Sequence, residues 1–309
     1  MSGSRQEIPK GPLEILIIKT GAAGDVLRTT PLLRAFEASS IDWFVGTVNG
    51  ILLHNFPMRK TYLLAENIPP GSHYDLVISL EDDPEVCRPV LDRIRWKRLF
   101  GAYASADGTM RYSEDSAPWF DMGLISRYGR TRADEMKLAN RKSYQEIIFN
   151  CLGLRFEQEP YVMPEALPGS DLRGDIAVAP KAGSTWPNKN WEYYDILIER
   201  LSSFAQVTIL PGRASMLEHL ADIRNHKLVI SNDSLPMHVA LGYGIPTVGV
   251  FTCTSPWEIY DYGLLKKIVS PRLAEFFYDR KFSAEAVSAI PVDQVFQAVV
   301  DSMNNHQQP

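Results

Sequence analysis

Short runs of consecutive apolar, largely β-branched residues alternate with amphipathic stretches along almost the whole chain. Leu13-Glu14-Ile15-Leu16-Ile17-Ile18-Lys19 is such a run; it stops at Thr20-Gly21-Ala22-Ala23-Gly24-Asp25, and an amphipathic stretch follows to about Ala38. The pattern predicts a strand, a glycine turn and a helix. It repeats at residues 41–46, at 74–80 ahead of an acidic helix start, and at 98–103. Strands that are apolar throughout and separated by helices imply a parallel sheet covered on both faces. Residues 104–141 break the pattern: they are polar, with Gly108, Pro118, Gly123 and Gly129, and predict a long irregular segment of the kind that is functional or mobile. A helix is predicted over 143–152. Pro160, Pro164 and Pro168 then stiffen a linker across 157–174. A second series of strands is predicted at 175–180, 206–210, 227–231, 247–251 and 267–269, and a closing helix at 292–303. The expected organisation is an α/β domain over 1–163, a second over 164–289, and a closing helix and tail over 290–309.

Composition narrows the function without choosing it. The chain has 309 residues, 45% of them hydrophobic and 22% charged, which is ordinary for a globular protein and ample for two cores. A net charge of −5, from 32 basic and 37 acidic residues, supplies no general field for nucleic acid, so no nucleic-acid partner is expected. Cys87, Cys151 and Cys253 are far apart and lack C-x-x-C spacing, which argues against a zinc site or a disulfide framework and fits a reducing compartment. Neither a spanning apolar run nor an apolar signal-peptide core is readable, and a cytoplasmic protein is expected.

Candidate chemistry gathers where strands end. Doubly wound sheets bind ligands beyond the carboxyl ends of their strands, at the switch point of strand order. In the first half, the Gly21–Asp25 turn permits a tight backbone and is expected to leave amides free at a helix N-terminus, with Asp25 at its exit. Read alone, Asp25 serves equally well as a helix cap. The turn is not G-x-G-x-x-G, and a nicotinamide site would have to recruit Asp42 or Glu37 for the ribose. In the second half, Ser184, Thr185 and Lys189 lie in a loop between a strand and a helix, where hydroxyls, amides and an ammonium suit a diphosphate. Lys189 is also an ordinary surface lysine on its own. Asn232-Asp233-Ser234-Leu235-Pro236-Met237-His238 runs from another strand into a helix. A start near Ser234 would put Ser234 and His238 on one face, with Asp233 at the mouth. A cap for Asp233 and a core role for His238 fit the same residues.

Glu81-Asp82-Asp83 has the composition of a hard-metal site, but it stands where a helix begins and the dipole favours acids. No metal is expected. Basic residues concentrate in the first half, and Arg93, Arg98, Arg127 and Arg130 are the candidates for an anionic acceptor, with a solvated helix face as the alternative. Trp119, Phe120 and Met122 would stack on a sugar or pack as a lid.

These motifs together resemble the bacterial heptosyltransferases of glycosyltransferase family 9, whose GT-B fold has two facing Rossmann-like domains with a cleft between them. The resemblance rests on Gly24-Asp25 with Thr30-Pro31 following, on Ser184-Thr185 with Lys189-x-Trp191, and on Asn232-Asp233-Ser234-x-Pro236-Met237-His238. Ile245-Pro246-Thr247-Val248, Thr254-Ser255-Pro256 and Tyr262-Gly263 continue it. It implies an inverting, metal-independent transferase with no resident cofactor. Asp25 would be its catalytic base, and Ser184, Thr185, Lys189, Asp233, Ser234 and His238 would bind a nucleotide-diphosphate sugar. It further implies ADP-heptose as donor, a lipopolysaccharide inner-core saccharide as acceptor, and peripheral contact at the inner face of the membrane. Ala22 and Ala23 stand where the family has serine, Leu235 where it has glycine, and the segment after residue 210 is shorter by a strand and a helix that ordinarily carry an acid for the ribose. Glu218 is the available substitute. Other donors or acceptors, and a non-catalytic binding module of the same fold, stand as alternatives.

Overall fold

A computed structural model describes residues 11–54, 56–117, 119 and 121–305. The chain divides into two compact units, one comprising residues 1–136 and 142–164, the other 137–141 and 165–309.

The first unit contains β1 (Glu14–Ile18), α1 (Ala23–Thr29), α2 (Pro31–Ala35), β2 (Ser40–Phe44), β3 (Lys60–Tyr62), β4 (Ser72–Ser79), α3 (Pro84–Leu91), β5 (Ile94–Ala104), β6 (Met110–Tyr112), α4 (Asp121–Tyr128), α5 (Arg130–Ala139) and α6 (Tyr144–Leu152), the last residues of α5 grouping with the second unit. Its sheet runs β3-β2-β1-β4-β5-β6, parallel throughout except for the antiparallel β5–β6 pair. The strand order reverses between β1 and β4, which makes that junction the switch point. Ile15 and Ile17 enter one apolar core, Leu16 and Ile18 the other, and all four are fully buried. A strand covered on both sides needs apolar residues at every position, hence its unbroken run.

The second unit contains β7 (Gly174–Ala179), α7 (Tyr194–Leu201), β8 (Val207–Ile209), α8 (Met216–Arg224), β9 (His226–Asn232), α9 (Leu235–Gly242), β10 (Thr247–Phe251), β11 (Leu265–Val269), α10 (Ala284–Ser288) and α11 (Val292–Asn305). Five parallel strands form the sheet β11-β10-β9-β7-β8, with its switch point between β7 and β9. The closing helix α11 buries Val295, Ala298 and Val299 in this unit's core against Ile176, Ile230 and Val248.

Two expectations require correction. The stretch to Ala38 is not one helix: α1 ends at Thr29, and Pro31, which lacks an amide to continue the ladder, opens α2. Residues 104–141 are not irregular either. A β5–β6 hairpin turns through Gly108 in the left-handed region, and α4 and α5 follow. The latter buries chiefly Ala133 and Lys137, too thin an apolar stripe to stand out in the sequence. Trp119 is no lid, since it packs edge-on against Tyr144, with ring centroids 5.5 Å apart, and beside Phe100. Phe120 and the side chain of Met122 lie outside the described residues.

Gly101 in β5 has φ +111°, and a Cβ there would stand 1.9 Å from the Ser79 carbonyl oxygen of β4. Only glycine lets the two backbones approach this closely. Gly101→Ala should therefore cost about 3 kcal/mol or more in unfolding free energy, from strain and forced strand separation, as read by denaturant melts.

Candidate functional site

Each sheet places candidate residues at its switch point. In the first unit Lys19 follows β1 and is 7% exposed. Its ammonium lies 3.0 Å from Glu81 Oε1 and 4.0 Å from Asp25 Oδ2. Glu81, just beyond β4, also accepts the amide hydrogens of Thr20 and Gly21 at 2.6 and 3.2 Å. Of the turn expected to leave amides free, Gly21 therefore has its amide taken by the chain's own carboxylate. Asn49 Nδ2 donates to the Thr20 carbonyl at 2.8 Å and fixes the turn from the other side.

Asp25 does not cap α1. Ala22 is the cap residue, and Asp25 stands in the first turn with its side chain 35% exposed. Arg28, one turn on, places Nη2 3.0 Å from Asp25 Oδ1. The Arg28 guanidinium lies over the Tyr144 ring, 4.1 Å from its centroid. The carboxylate thus sits between two cations with a third of its side chain open to solvent.

In the second unit, the loop after β7 carries Ser184 and Thr185 exposed on a turn, and a short 3-10 turn over Pro187–Lys189 brings Lys189 round. Asn188 is fully buried and anchors that turn: its side-chain amide donates to the Asp279 and Lys281 carbonyls at 3.1 and 2.8 Å and its Oδ1 accepts from the Ser283 amide at 2.8 Å. Lys189 Nζ then donates to the carbonyl and to Oδ2 of Asp233 at 2.7 and 2.9 Å, both side chains being 15% exposed. Lys189 is thus no freely solvated lysine. Burial alone would raise the Asp233 pKa, but the charges of Lys189 and His238 and the hydrogen bond from Lys189 outweigh it and hold the carboxyl at about 2.

Asp233 follows β9 and precedes the cap of α9, which is Ser234, so it is not itself the cap. Pro236 sits in the first turn of α9, and His238 is buried four residues beyond Ser234. Behind them the buried Asn232 accepts from the Tyr194 hydroxyl at 2.7 Å and donates to the Pro180 carbonyl at 3.2 Å, tying the ends of β7 and β9 together. Lys189, Asp233, Ser234 and His238 are therefore assembled at one switch point, with Ser184 and Thr185 on the adjoining loop.

The remaining candidates are dispersed. Arg93 precedes β5, at the end of the sheet opposite the switch-point residues, and donates to the Ile68 and Glu66 carbonyls. Arg98, within β5, pairs with Asp115 at 2.7 Å. Arg127 and Arg130 are exposed on α4 and α5. Asp42 is buried, and both its carboxylate oxygens accept from Arg59, one of them also from the Tyr74 hydroxyl. Glu218 is exposed in the first turn of α8. Asp83 caps α3 through the Glu85 amide, and among the described residues no group of three metal-binding side chains is assembled. No helix among them is long and apolar enough to cross a membrane. Lys19, Glu81, Arg28 and Tyr144 were missed as site residues. Lys19 had been read only as the end of a strand, and Tyr144 is 115 residues from its partner Thr29, beyond any local pattern.

Residues 185–284, which span Lys189, Asp233 and His238, match the model of glycosyltransferase family 9 (heptosyltransferase). Over that segment the chain is similar to the family 9 glycosyltransferases. No curated protein matches the chain. Among solved structures it is similar to a family 9 glycosyl transferase from Veillonella parvula, at 14% identity and TM-score 0.66 over 97% of this chain and all of the other. It is also similar to E. coli heptosyltransferase WaaC with ADP-2-deoxy-2-fluoro heptose, at 15% identity and TM-score 0.59 over 93% and 99% of the two chains. A third is the iron-containing dodecameric glycosyltransferase TibC of enterotoxigenic E. coli, at 13% identity and TM-score 0.59 over 97% and 81%. These likenesses are ones of fold: two parallel-sheet α/β units of the GT-B type over nearly the whole chain.

Proposed function

We propose that this protein transfers a sugar from a nucleotide diphosphate, ADP-heptose being the donor tested first, to a saccharide hydroxyl such as one of the lipopolysaccharide inner core, with inversion and without a metal. The second unit would hold the donor. The observation that carries this reading is the Lys189–Asp233 pair at the β7/β9 switch point, which fixes an ammonium beside the exposed Ser184 and Thr185 hydroxyls. Such a cation stabilises the charge that grows on a departing diphosphate. Asp25 of the first unit would accept the proton of the attacking hydroxyl as its oxygen bonds to the anomeric carbon and the nucleotide diphosphate leaves with the electron pair. A single displacement of this kind inverts the centre and needs no second carboxylate.

Thermal unfolding against ADP, UDP and GDP, each with magnesium and with EDTA, tests the donor. A nucleotide at about 100 times its Kd stabilises by about 2.7 kcal/mol, and ADP is expected to do so equally with EDTA present. Stabilisation by UDP or GDP alone would overturn the choice of donor, and stabilisation that needs magnesium would overturn metal independence. A chain indifferent to every nucleotide would be a binding module of another kind.

A further inference from the structure

Asp25 is held at its backbone by Thr29 and at its side chain by Arg28, both one turn along α1, and Tyr144 of a second helix meets both of them. Tyr144 opens α6, which is fixed by a full capping box in which the Ser143 hydroxyl accepts from the Glu146 amide and the Glu146 carboxylate accepts from the Ser143 amide. The Tyr144 ring is 7% exposed and supports the Arg28 guanidinium at 4.1 Å. Its hydroxyl lies 2.8 Å from Thr29 Oγ1, and Thr29 Oγ1 donates to the Asp25 carbonyl at 2.7 Å. With that proton committed to the carbonyl, the Tyr144 hydroxyl must be the donor to Thr29. One aromatic residue therefore anchors both the peptide that carries Asp25 and the cation that grips its carboxylate.

We propose that Arg28, seated on Tyr144, is a positioning residue that aims the Asp25 carboxylate at the acceptor hydroxyl. The inference rests on the reading of Asp25 as the base. The side chain of Arg28 is only 16% exposed, so its fork has little freedom, and an aspartate with two side-chain torsions gains a single orientation from it. Lys19 approaches the other carboxylate oxygen at 4.0 Å and is also tied to Glu81 at 3.0 Å, so Arg28, at 3.0 Å, is the closer of the two cations. Among the described residues the charged and titratable groups facing Asp25 include Lys19 from the end of β1, Arg28 from α1, Glu81 from beyond β4 and Tyr144 from α6.

Steady-state kinetics of the full chain with ADP-heptose and heptose-deficient lipopolysaccharide, run beside ¹³C NMR titration of the Asp25 carboxyl carbon, tests the proposal. Arg28→Ala is expected to lower kcat about a hundredfold with KM for the donor little changed, as misaligned reacting groups do. It should also move both the acidic limb of the pH profile and the Asp25 titration to higher pH. Arg28→Lys should return the titration towards the parent while recovering only part of kcat, because an ammonium keeps the charge and loses the fork. Tyr144→Leu should reproduce Arg28→Ala, and the double variant should be no worse than either, since the two act as one unit. An Arg28→Ala protein with parental kcat and parental Asp25 titration overturns the positioning role, provided Asp25→Ala is inactive. An active Asp25→Ala protein instead overturns the base itself, and the NMR titration of Arg28→Ala still reports whether Arg28 governs the carboxylate.

Discussion

Asp25→Ala is expected to lower turnover by about a thousandfold or more while leaving nucleotide binding intact. General-base removal costs about 10² to 10⁴ in rate. The upper part of that range applies because a sugar hydroxyl is a very weak nucleophile until its proton has somewhere to go. Donor binding should survive because Asp25 and the Lys189–Asp233 pair belong to different units. The measurement is kcat by ADP release together with ADP affinity by calorimetry on the same preparation. Asp25→Asn is the stricter control: it keeps the size and a hydrogen-bonding oxygen for Arg28 but cannot take a proton, and it should be as inactive as alanine. Loss of ADP affinity in either variant, or retained turnover in both, would remove Asp25 from the role of base.

Lys189→Met is expected to cost about 3 kcal/mol of stability and to abolish the thermal response to ADP. Asp233, 15% exposed and in contact with Lys189 at 2.9 Å, would be left in a largely dry site without the cation that offsets its desolvation. Because the folded-state pKa of Asp233 is depressed to about 2, the pair's contribution is fully present above the ordinary aspartate value near 3.8 and is lost as pH falls through about 2. A depression of this size corresponds to about 2 kcal/mol. Acid melts of the parent should show that loss, and those of Asp233→Asn should lack it. Combining Lys189→Met with Asp233→Asn should restore much of the stability, since no orphan charge remains, but not the response to ADP. Separation of the two readouts distinguishes a cation that serves a ligand from one that serves only the fold. A double variant still stabilised by ADP would place the diphosphate elsewhere.

The two doubly wound sheets were legible in the sequence because buried parallel strands write themselves as unbroken apolar runs. The positions of Asp25, Lys189 and Asp233 were legible because such strands end in turns where polar residues stand out. What stayed hidden was long-range. Glu81 reads as one of three acids at a helix start, yet only Asp83 caps the helix, while Glu81 reaches across the sheet to the turn after β1. Tyr144 reads as the first residue of an amphipathic helix, and nothing near it predicts an arginine on its ring. The helices within 104–141 were hidden for a different reason: their polar sequences bury too little surface to impose a period. Arg93 was singled out by its charge, but charge does not say at which end of a strand a residue falls, and its guanidinium is spent on the carbonyls of Glu66 and Ile68.

Glu81 also makes the two sheets unequal. Both are built on one plan, with a turn at the switch point whose amides could receive a phosphate, and a chain with two such turns would ordinarily offer two berths for a nucleotide. In the first unit that place is taken by a side chain: Glu81 accepts the Thr20 and Gly21 amides and pairs with Lys19. A phosphate seeking those two amides would have to displace the carboxylate that they already bind. On the proposed reading the stoichiometry expected is one nucleotide per chain, held by the second unit, and calorimetry with ADP counts it.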